Sequence, residues 1–113
     1  MILTKEVFMS DYLVVTTSVP NKEVAEEIAH RLLRKHIASC VQIIGPIESH
    51  YWWENKLNKS VEYLCLAKTK KEFYSRLEAE IIEHHPYTTP EVYATPITHA
   101  FGGYQSWIDD CLK

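Results

Sequence analysis

The order of strand-like and helix-like segments most constrains how this chain of 113 residues folds. Residues 12–19 are rich in β-branched side chains and almost continuously apolar, which is typical of a strand buried on both faces. A helical pattern of apolar residues follows as far as Arg34, and it starts just after Asn21, a favoured N-cap residue. We therefore expect a central strand with an amphipathic helix packed across its sheet.

The middle of the chain is predicted to form a long β-hairpin. Residues 39–54 have an extended pattern, and Gly45-Pro46 within them predicts a bulge or a bend. We expect a polar turn at residues 56–59 and a returning strand over residues 61–68. The hairpin is longer than two helices can cover, which predicts a homo-oligomer whose sheets pair edge to edge. The alternative is a monomer with a projecting hairpin.

One face of this hairpin is predicted to mix aromatic and charged side chains. With the turn in that position, Trp53 lies roughly opposite Glu62, and Tyr51 lies roughly opposite Leu64. Lys68 falls on the same face as Glu62. Burying either charge alone is costly, so both need partners, as in many binding pockets. Alternatively, both charges lie near strand ends and reach water.

The rest of the chain returns to a helix and a strand. Thr69 and Glu72 have the spacing of a capping box, so a second helix is expected to begin there and to stop at Pro86. Residues 92–98 are predicted to form a last strand, and the proline within them favours an edge position. The residues after Gly102-Gly103 have the spacing of a short terminal helix.

These segments together predict an α+β fold. The order strand, helix, strand, strand, helix, strand is that of a ferredoxin-like split βαβ sandwich, here with a long β-hairpin and an extra C-terminal helix. A hydrophobic content of 46% is enough for one core, so residues 12–113 are expected to form a single domain. Residues 1–11 are expected to be a short N-terminal extension without a signal peptide or a membrane span.

Charge, cysteine content and motifs limit the classes of function. A net charge of −3 without a clustered basic run argues against a nucleic-acid partner. No apolar stretch is long enough to span a membrane, so we do not expect a membrane partner. The three cysteines are far apart and form no paired motif, which favours reduced thiols in the cytoplasm. The sequence has no nucleophile-elbow, phosphate-loop or zinc-protease pattern, so we do not expect an enzyme.

Two adjacent histidines beside a proline-bounded turn are the candidate metal ligands. His84 and His85 precede Pro86, and Glu91 follows Pro90, so restricted backbone holds two imidazoles and a carboxylate in one segment. These ligand types suit Cu(II) or Zn. The alternative is a helix end at which the histidines interact with the last carbonyl groups and with the helix dipole.

Several motifs occur in the order found in the CutA divalent-cation tolerance proteins, and residues 12–112 resemble that family. The motifs that carry this resemblance are Val14–Pro20, Ala38–Val41, Tyr51–Glu54, Glu62 with Lys68-Thr69, His85-Pro86-Tyr87 with Pro90-Glu91, and Tyr104 with Trp107. The resemblance implies a cytoplasmic homotrimer in which long hairpins extend sheets between neighbouring subunits. It also implies a role in the response to copper and other divalent metal ions, and a likeness to trimeric PII-type signalling proteins.

The resemblance also assigns residues to sites. Metal ligands would fall on His84 and His85 together with a cysteine of the first strand, a position that Thr17 occupies here. A threonine hydroxyl binds copper poorly in comparison with a thiolate. The resemblance also implies a pocket between subunits, and it places His85 and Glu91 near this pocket. The residues that line it would be Tyr51, Trp53, Glu62, Lys68, Tyr87 and Trp107.

Two functions therefore stay open at the level of sequence. The first is a trimeric metal-tolerance protein that binds copper, zinc or another divalent metal through its histidine pair. The second is a PII-like module whose pocket binds a small metabolite, an anion held by Lys68, or a partner protein. A third interpretation is that the aromatic residues and the pair of Glu62 and Lys68 bind no ligand and only stabilise the interface between subunits, as such residues often do.

Overall fold

The computed structural model describes residues 11–113 and shows an antiparallel sheet with helices. The strands are β1 (Tyr12–Val19), β2 (Cys40–Trp53), β3 (Lys56–Lys70) and β4 (Val92–Pro96), and the helices are α1 (Lys22–Arg34), α2 (Tyr74–His84) and α3 (Gly102–Cys111). The strand order β2-β3-β1-β4 places β1 between β3 and β4. The predicted ferredoxin-like α+β sandwich, its long hairpin and its C-terminal helix are therefore confirmed.

The core lies between the inner strands and the first two helices. α1 begins where predicted, because the Asn21 side chain accepts the backbone N–H of Val24 at 2.9 Å and so caps the helix. The last five residues of β1 are all buried, as expected for a central strand. The largest fully buried apolar side chains on the two helices are Ile28 and Leu32 of α1, and Leu77 and Ile81 of α2.

The centre of the hairpin turn lies three residues before the predicted position. Glu54 and Asn55 both have positive φ, at 51° and 62°, and form the two-residue connection between β2 and β3. Trp53 therefore pairs with Lys56, and the predicted turn residues belong to β3. The predicted register was wrong because a glutamate at positive φ gives a weak turn signal in sequence. Asn58 also favours this connection, since its side-chain amide donates to the carbonyl of Lys56 at 2.9 Å.

The interruption at Gly45-Pro46 is confirmed as a β-bulge. The register between β2 and β3 shifts between Ile44 and Ile47. A side chain at position 45 would collide with the ring of Tyr63, so the close approach of the two strands here requires glycine. Beyond the bulge, Ile47 pairs with Glu62, which sets the position of that carboxylate along the hairpin.

The predicted capping box at Thr69 does not form. Thr69 is the penultimate residue of β3, and its hydroxyl donates to the carbonyl of Ile37 at 2.7 Å. The segment Lys71–Phe73 is a short 3-10 turn, and α2 begins at Tyr74. A buried contact with a residue distant in sequence has therefore replaced the local cap that the spacing favoured.

The C-terminal part of the described chain fixes the edge of the sheet. β4 is an edge strand, as predicted, but it ends at Pro96, two residues before the predicted end. Asp109 of α3 accepts the Tyr12 hydroxyl at 2.9 Å and lies 3.2 Å from the Lys70 ammonium. The predicted extension at residues 1–11 lies outside the described residues except for Asp11. Among residues 11–113, no helix has both the length and the apolar character needed to cross a membrane.

Candidate functional site

His85 is held by hydrogen bonds at both of its ring nitrogens. It follows α2, is 9% exposed, and its Nε2 donates to the Ser18 carbonyl of β1 at 2.8 Å. Its Nδ1 accepts the backbone N–H of Tyr87 at 3.2 Å. Burial lowers the pKa of His85 below its usual value, so the neutral ring is favoured. Both nitrogens that could bind a metal are thus used to hold the turn against the sheet.

His84 points towards its own helix instead. Its Nδ1 donates to the Glu80 carbonyl at 3.1 Å and lies 3.4 Å from the Glu80 carboxylate oxygen Oε2. Within residues 11–113, one group of three or more potential metal ligands has its ligand atoms within 4.8 Å of one another, and it consists of Glu80, Glu83 and His84. We call these three residues the helix-end cluster.

Glu80 is the unusual member of this cluster. Only 7% of the residue is exposed, and its Oε1 accepts the Lys35 ammonium at 2.8 Å. Its Oε2 is buried and has no hydrogen-bond partner in the described part of the chain. The hydrogen bond from Lys35 holds the pKa of the Glu80 carboxyl below its usual value, so the group stays a carboxylate at neutral pH.

The residues predicted as metal ligands are therefore divided among three places. His84 belongs to the helix-end cluster, His85 is a bridge between the turn and β1, and Glu91 lines a separate cleft. A single chain, over the residues described, does not bring these three side chains together as one ligand set. His84 is the last residue of α2 and His85 follows it, whereas Glu91 lies beyond the turn, and each of the three side chains faces a different part of the chain.

A cleft of about 780 Å³ opens between the outer part of the hairpin and the turn after α2. This volume is in the range of roughly 300–1,000 Å³ that is usual for small-molecule sites. Four of the residues predicted for the intersubunit pocket line it, namely Tyr51, Trp53, Glu62 and Tyr87. Its other lining residues are Ser18, Ser49, His50, Trp52, Pro86, Thr88, Thr89 and Glu91.

Glu62 and Tyr87 meet in this cleft. Glu62 is 6% exposed, and its Oε2 accepts the Tyr87 hydroxyl at 2.7 Å. Burial raises the pKa of Tyr87, and the neighbouring carboxylate raises it further, so the phenol remains a neutral hydrogen-bond donor. The His85 ring packs against the Tyr87 ring with 4.8 Å between centroids. The buried histidine therefore positions the tyrosine that holds the buried carboxylate.

Two residues predicted for the pocket lie elsewhere in the chain. Lys68 is on β3 and donates to the side-chain oxygen of Gln42 on β2. Trp107 is on α3, where its ring stacks on that of Tyr104 with 5.9 Å between centroids. Neither lines the cleft within the part of the chain described, so the predicted anion site on Lys68 has no counterpart in this cleft.

Thr17 lies in the inner sheet, on β1, at the position where the resemblance implied a cysteine ligand. The residue is 1% exposed, and its hydroxyl has no hydrogen-bond partner among residues 11–113. It pairs with Cys65 of β3 and with Val92 of β4. The group Glu80, Glu83 and His84 does not include Thr17.

Sequence reasoning did not identify Glu80 and Glu83 as site residues. Glu80 precedes His84 by four residues, which places both side chains on one face of a helix, and this spacing was the available signal. Glu83 gives no comparable signal, because it is exposed and adjacent to the histidine. The role of His85 also could not be read from spacing, since its partner Ser18 lies 67 residues away.

The sheet order and the long hairpin define a small ferredoxin-like α+β domain, and an open cleft lies beside the hairpin. The family model described as "CutA1 divalent ion tolerance protein" matches residues 13–111, and the chain belongs to this family. The family resemblance noted from the sequence motifs is thereby confirmed.

Individual relatives agree with this assignment. The chain is 37% identical to the divalent-cation tolerance protein CutA of Archaeoglobus fulgidus, over 93% of this chain and 100% of the relative. It is 36% identical to the chloroplastic CutA 1 protein of Oryza sativa over 89% of this chain, which spans 57% of the rice protein. The names refer to divalent-cation tolerance or to CutA, and neither names a reaction.

Solved structures show the same fold. The CutA1 crystal structure from Shewanella sp. SIB1 has a TM-score of 0.89 at 36% identity and covers 93% of this chain and 98% of that one. The CutA structure from Archaeoglobus fulgidus has a TM-score of 0.88 at 36% identity, with coverage of 90% and 99%.

The comparisons overturn the predicted cytoplasmic location. The Archaeoglobus structure is described as that of a periplasmic protein, and relatives from Oryza sativa and Arabidopsis thaliana are named chloroplastic. The prediction was wrong to take the compartment from the family and from unpaired cysteines. Cys40, Cys65 and Cys111 are free, and thiols without a partner form no intramolecular disulfide in any compartment.

Proposed function

We propose that this CutA-family protein acts in divalent-cation tolerance by binding a divalent metal ion directly at the helix-end cluster. The observation that carries the proposal is the buried Glu80 Oε2, which has no hydrogen-bond partner in the described chain and lies 3.4 Å from His84 Nδ1. Leaving a buried carboxylate oxygen unsatisfied is costly, and a cation at this point would compensate for it.

The donor set fits a borderline metal ion. Two ligand atoms bound tetrahedrally to zinc at about 2.0–2.1 Å lie roughly 3.3 Å apart, close to the spacing found here. One imidazole and two carboxylates suit Zn(II) or Cu(II) better than a soft Cu(I) ion. Glu83 is exposed and can turn towards the ion, and water would fill the remaining positions. An ion bound at His84 Nδ1 would replace the hydrogen bond that this nitrogen now donates to the Glu80 carbonyl, and the neutral ring would then carry its proton on Nε2.

Calorimetric titration with Zn(II) and Cu(II) tests this proposal. We expect affinity in the micromolar range for the unmodified protein, which is about −8 kcal/mol. Affinity should fall at least tenfold in His84→Ala and in Glu83→Gln, because each variant removes one ligand. His30→Ala is the matched control, since it removes an exposed histidine from α1 and leaves the cluster intact.

The same titration separates this site from the ligand set predicted by sequence. Glu91→Gln changes a residue of the cleft and should leave metal affinity unchanged. If Glu91→Gln weakens binding while Glu83→Gln does not, the ion is held by the turn after α2 and not by the helix-end cluster. Equal binding in all of these variants would contradict the proposal as a whole.

We also propose that the functional form is the homotrimer suggested by the sequence. The outer half of the hairpin exposes large apolar side chains that find no cover within residues 11–113. Trp52 is 71% exposed and Leu57 is 64% exposed, and the two residues face each other across the strands. Exposed apolar area and free strand edges favour association with a second copy of the chain.

A PII-like function in ligand sensing is the second candidate, and the cleft supports it. Tyr51, Trp53, Glu62 and Tyr87 were predicted as one pocket, and all four line the same cleft. Ligand-dependent thermal stabilisation that is lost in Glu62→Gln would support this function, whereas metal binding at the helix-end cluster would be unaffected by that variant.

A further inference from the structure

We infer that the cleft binds a small organic cation with an ammonium group, held by the buried Glu62 carboxylate and by the aromatic side chains of the hairpin. This inference rests on the second proposed function and names the chemical class of its ligand. It is independent of metal binding, because the cleft shares none of its lining residues with the helix-end cluster.

The charge of the cleft favours a cation. Glu62 and Glu91 both line it, whereas no Lys or Arg does so among the residues described. No ion pair involving Glu62 occurs within residues 11–113; its side-chain partner is the neutral hydroxyl of Tyr87. A carboxylate that is 6% exposed and lacks a basic partner is costly in the free protein. A positively charged ligand would offset that cost on binding.

The walls of the cleft suit an organic cation better than a bare metal ion. Tyr51 and Trp53 are 42% and 47% exposed, and both line the cleft beside Glu62. Aromatic faces attract ammonium groups through cation–π interactions, and they also cover the carbon chain of an organic ligand. The cleft volume of about 780 Å³ exceeds what one hydrated metal ion needs.

The carboxylate is held in place before a ligand arrives. Tyr87 donates to Glu62 Oε2 at 2.7 Å, and His85 packs on the Tyr87 ring. His85 is itself fixed by the Ser18 carbonyl. A preorganised carboxylate lowers the entropy cost of binding and gives direction to the ligand ammonium.

The test uses the assembled full-length protein and three organic probes. Putrescine and choline represent a primary and a quaternary ammonium, and succinate is an anion of similar size. For at least one ammonium probe, we expect quenching or a shift of tryptophan fluorescence together with saturable heat in calorimetry. We expect neither signal with succinate. Glu62→Gln should weaken ammonium binding at least tenfold, since it removes the charge and keeps the size of the side chain.

Glu26→Gln is the matched control for this experiment. Glu26 lies on α1, is exposed, and does not line the cleft. Its substitution makes the same change of net charge and should leave ammonium binding unchanged. Equal weakening in both variants would mean a general charge effect and would overturn the inference.

Three other outcomes would also overturn it. Absence of binding for both ammonium probes, tighter binding of succinate, or unchanged binding in Glu62→Gln would each exclude a specific cation site in the cleft. If Zn(II) binding is lost in Glu62→Gln and retained in Glu83→Gln, the cleft is a metal site. That result would contradict both this inference and the helix-end cluster, whereas absence of ammonium binding alone would leave metal binding untouched.

Discussion

The inner sheet and the outer hairpin use the same strands in opposite ways. In the inner sheet, residues 15–19 of β1 are buried, and the facing helices supply their contacts. Beyond the bulge at Gly45-Pro46, the same ladder between β2 and β3 continues, but Trp52 and Leu57 are largely exposed. The inner sheet is therefore stabilised within one chain, whereas the hairpin carries apolar surface that suits another molecule.

The residues that stabilise the fold and those that form the candidate cleft lie mostly in different parts of the molecule. The candidate cleft lies on the hairpin side, where a buried Glu62 and exposed aromatic residues occur together. The inner sheet contributes by holding the turn after α2, since the Ser18 carbonyl of β1 accepts a hydrogen bond from His85 Nε2. Each of the following four predictions tests one side of this difference.

Loss of assembly is the largest effect expected. Changing Trp52→Thr together with Leu57→Thr removes apolar area from the hairpin while keeping residues that favour strands. We expect light scattering to show the loss of the proposed trimer, with far-ultraviolet circular dichroism preserved. Ile82→Thr is the control, because it removes an exposed apolar side chain from α2 and should leave the mass unchanged. A trimer that survives the double change would contradict the role given to the hairpin.

The second prediction concerns the core. Leu77 is fully buried on α2, and Leu77→Ala should lower the free energy of unfolding by about 2–5 kcal/mol. Ile82→Ala on the same helix should lower it by much less, because Ile82 is 51% exposed. Urea unfolding at one fixed protein concentration measures both. Similar losses in the two variants would mean that another molecule covers Ile82 in the folded protein, so that burial within one chain would not account for the stability of the inner sheet.

Local and distant interactions explain which parts of the fold were predictable. The Asn21 cap was predicted correctly because its partner Val24 is three residues away. The threonine of the supposed capping box, Thr69, instead contacts Ile37, and local spacing carries no information on such a contact. The turn forms at Glu54 and Asn55, which have positive φ, and not at the more polar residues 56–59 where it was predicted. Local patterns therefore predicted which helices and strands form, whereas some of their end residues depend on contacts that are distant in sequence.

The candidate site divides in the same way. The aromatic residues and Glu62 were expected to share a pocket, because strand alternation places side chains in a regular order. His84 and His85 are neighbours in sequence, yet a contact with Glu80 turns one ring and a contact with Ser18 fixes the other. Adjacent histidines thus gave no information on whether both rings could bind one ion.

The third prediction uses pH to probe the inner sheet. Burial raises the pKa of the Cys65 thiol from 9.0 to about 11, so the folded state keeps this proton at a pH where the unfolded chain loses it. Stability should therefore be complete below about pH 9 and should fall as the pH rises towards 11, by on the order of 2–3 kcal/mol. Cys65→Ala should remove this part of the alkaline loss in urea titrations.

Cys40→Ala is the control for that experiment, because Cys40 is only partly buried at the start of β2. It should leave the alkaline slope unchanged. The tyrosines titrate in all three proteins, so their contribution cancels when slopes are compared. Identical slopes for Cys65→Ala and the unmodified protein would mean that the inner sheet admits solvent to this thiol.

The smallest effect is expected at two buried threonines of neighbouring strands. The Thr17 hydroxyl has no hydrogen-bond partner in the described chain, whereas the Thr69 hydroxyl donates to Ile37 at 2.7 Å. Valine has nearly the same shape as threonine, so Thr17→Val should raise the free energy of unfolding by about 1 kcal/mol, and Thr69→Val should lower it by a similar amount. Urea unfolding under one set of conditions measures both.

Opposite signs would show that the inner sheet is complete within one chain, since only the hydroxyl with a partner would contribute stability. A loss of stability in Thr17→Val would instead mean that its hydroxyl is satisfied in the folded protein by a group outside residues 11–113 of one chain. The inner sheet would then depend on another molecule as the hairpin does, because a buried hydroxyl contributes stability only when it has a hydrogen-bond partner.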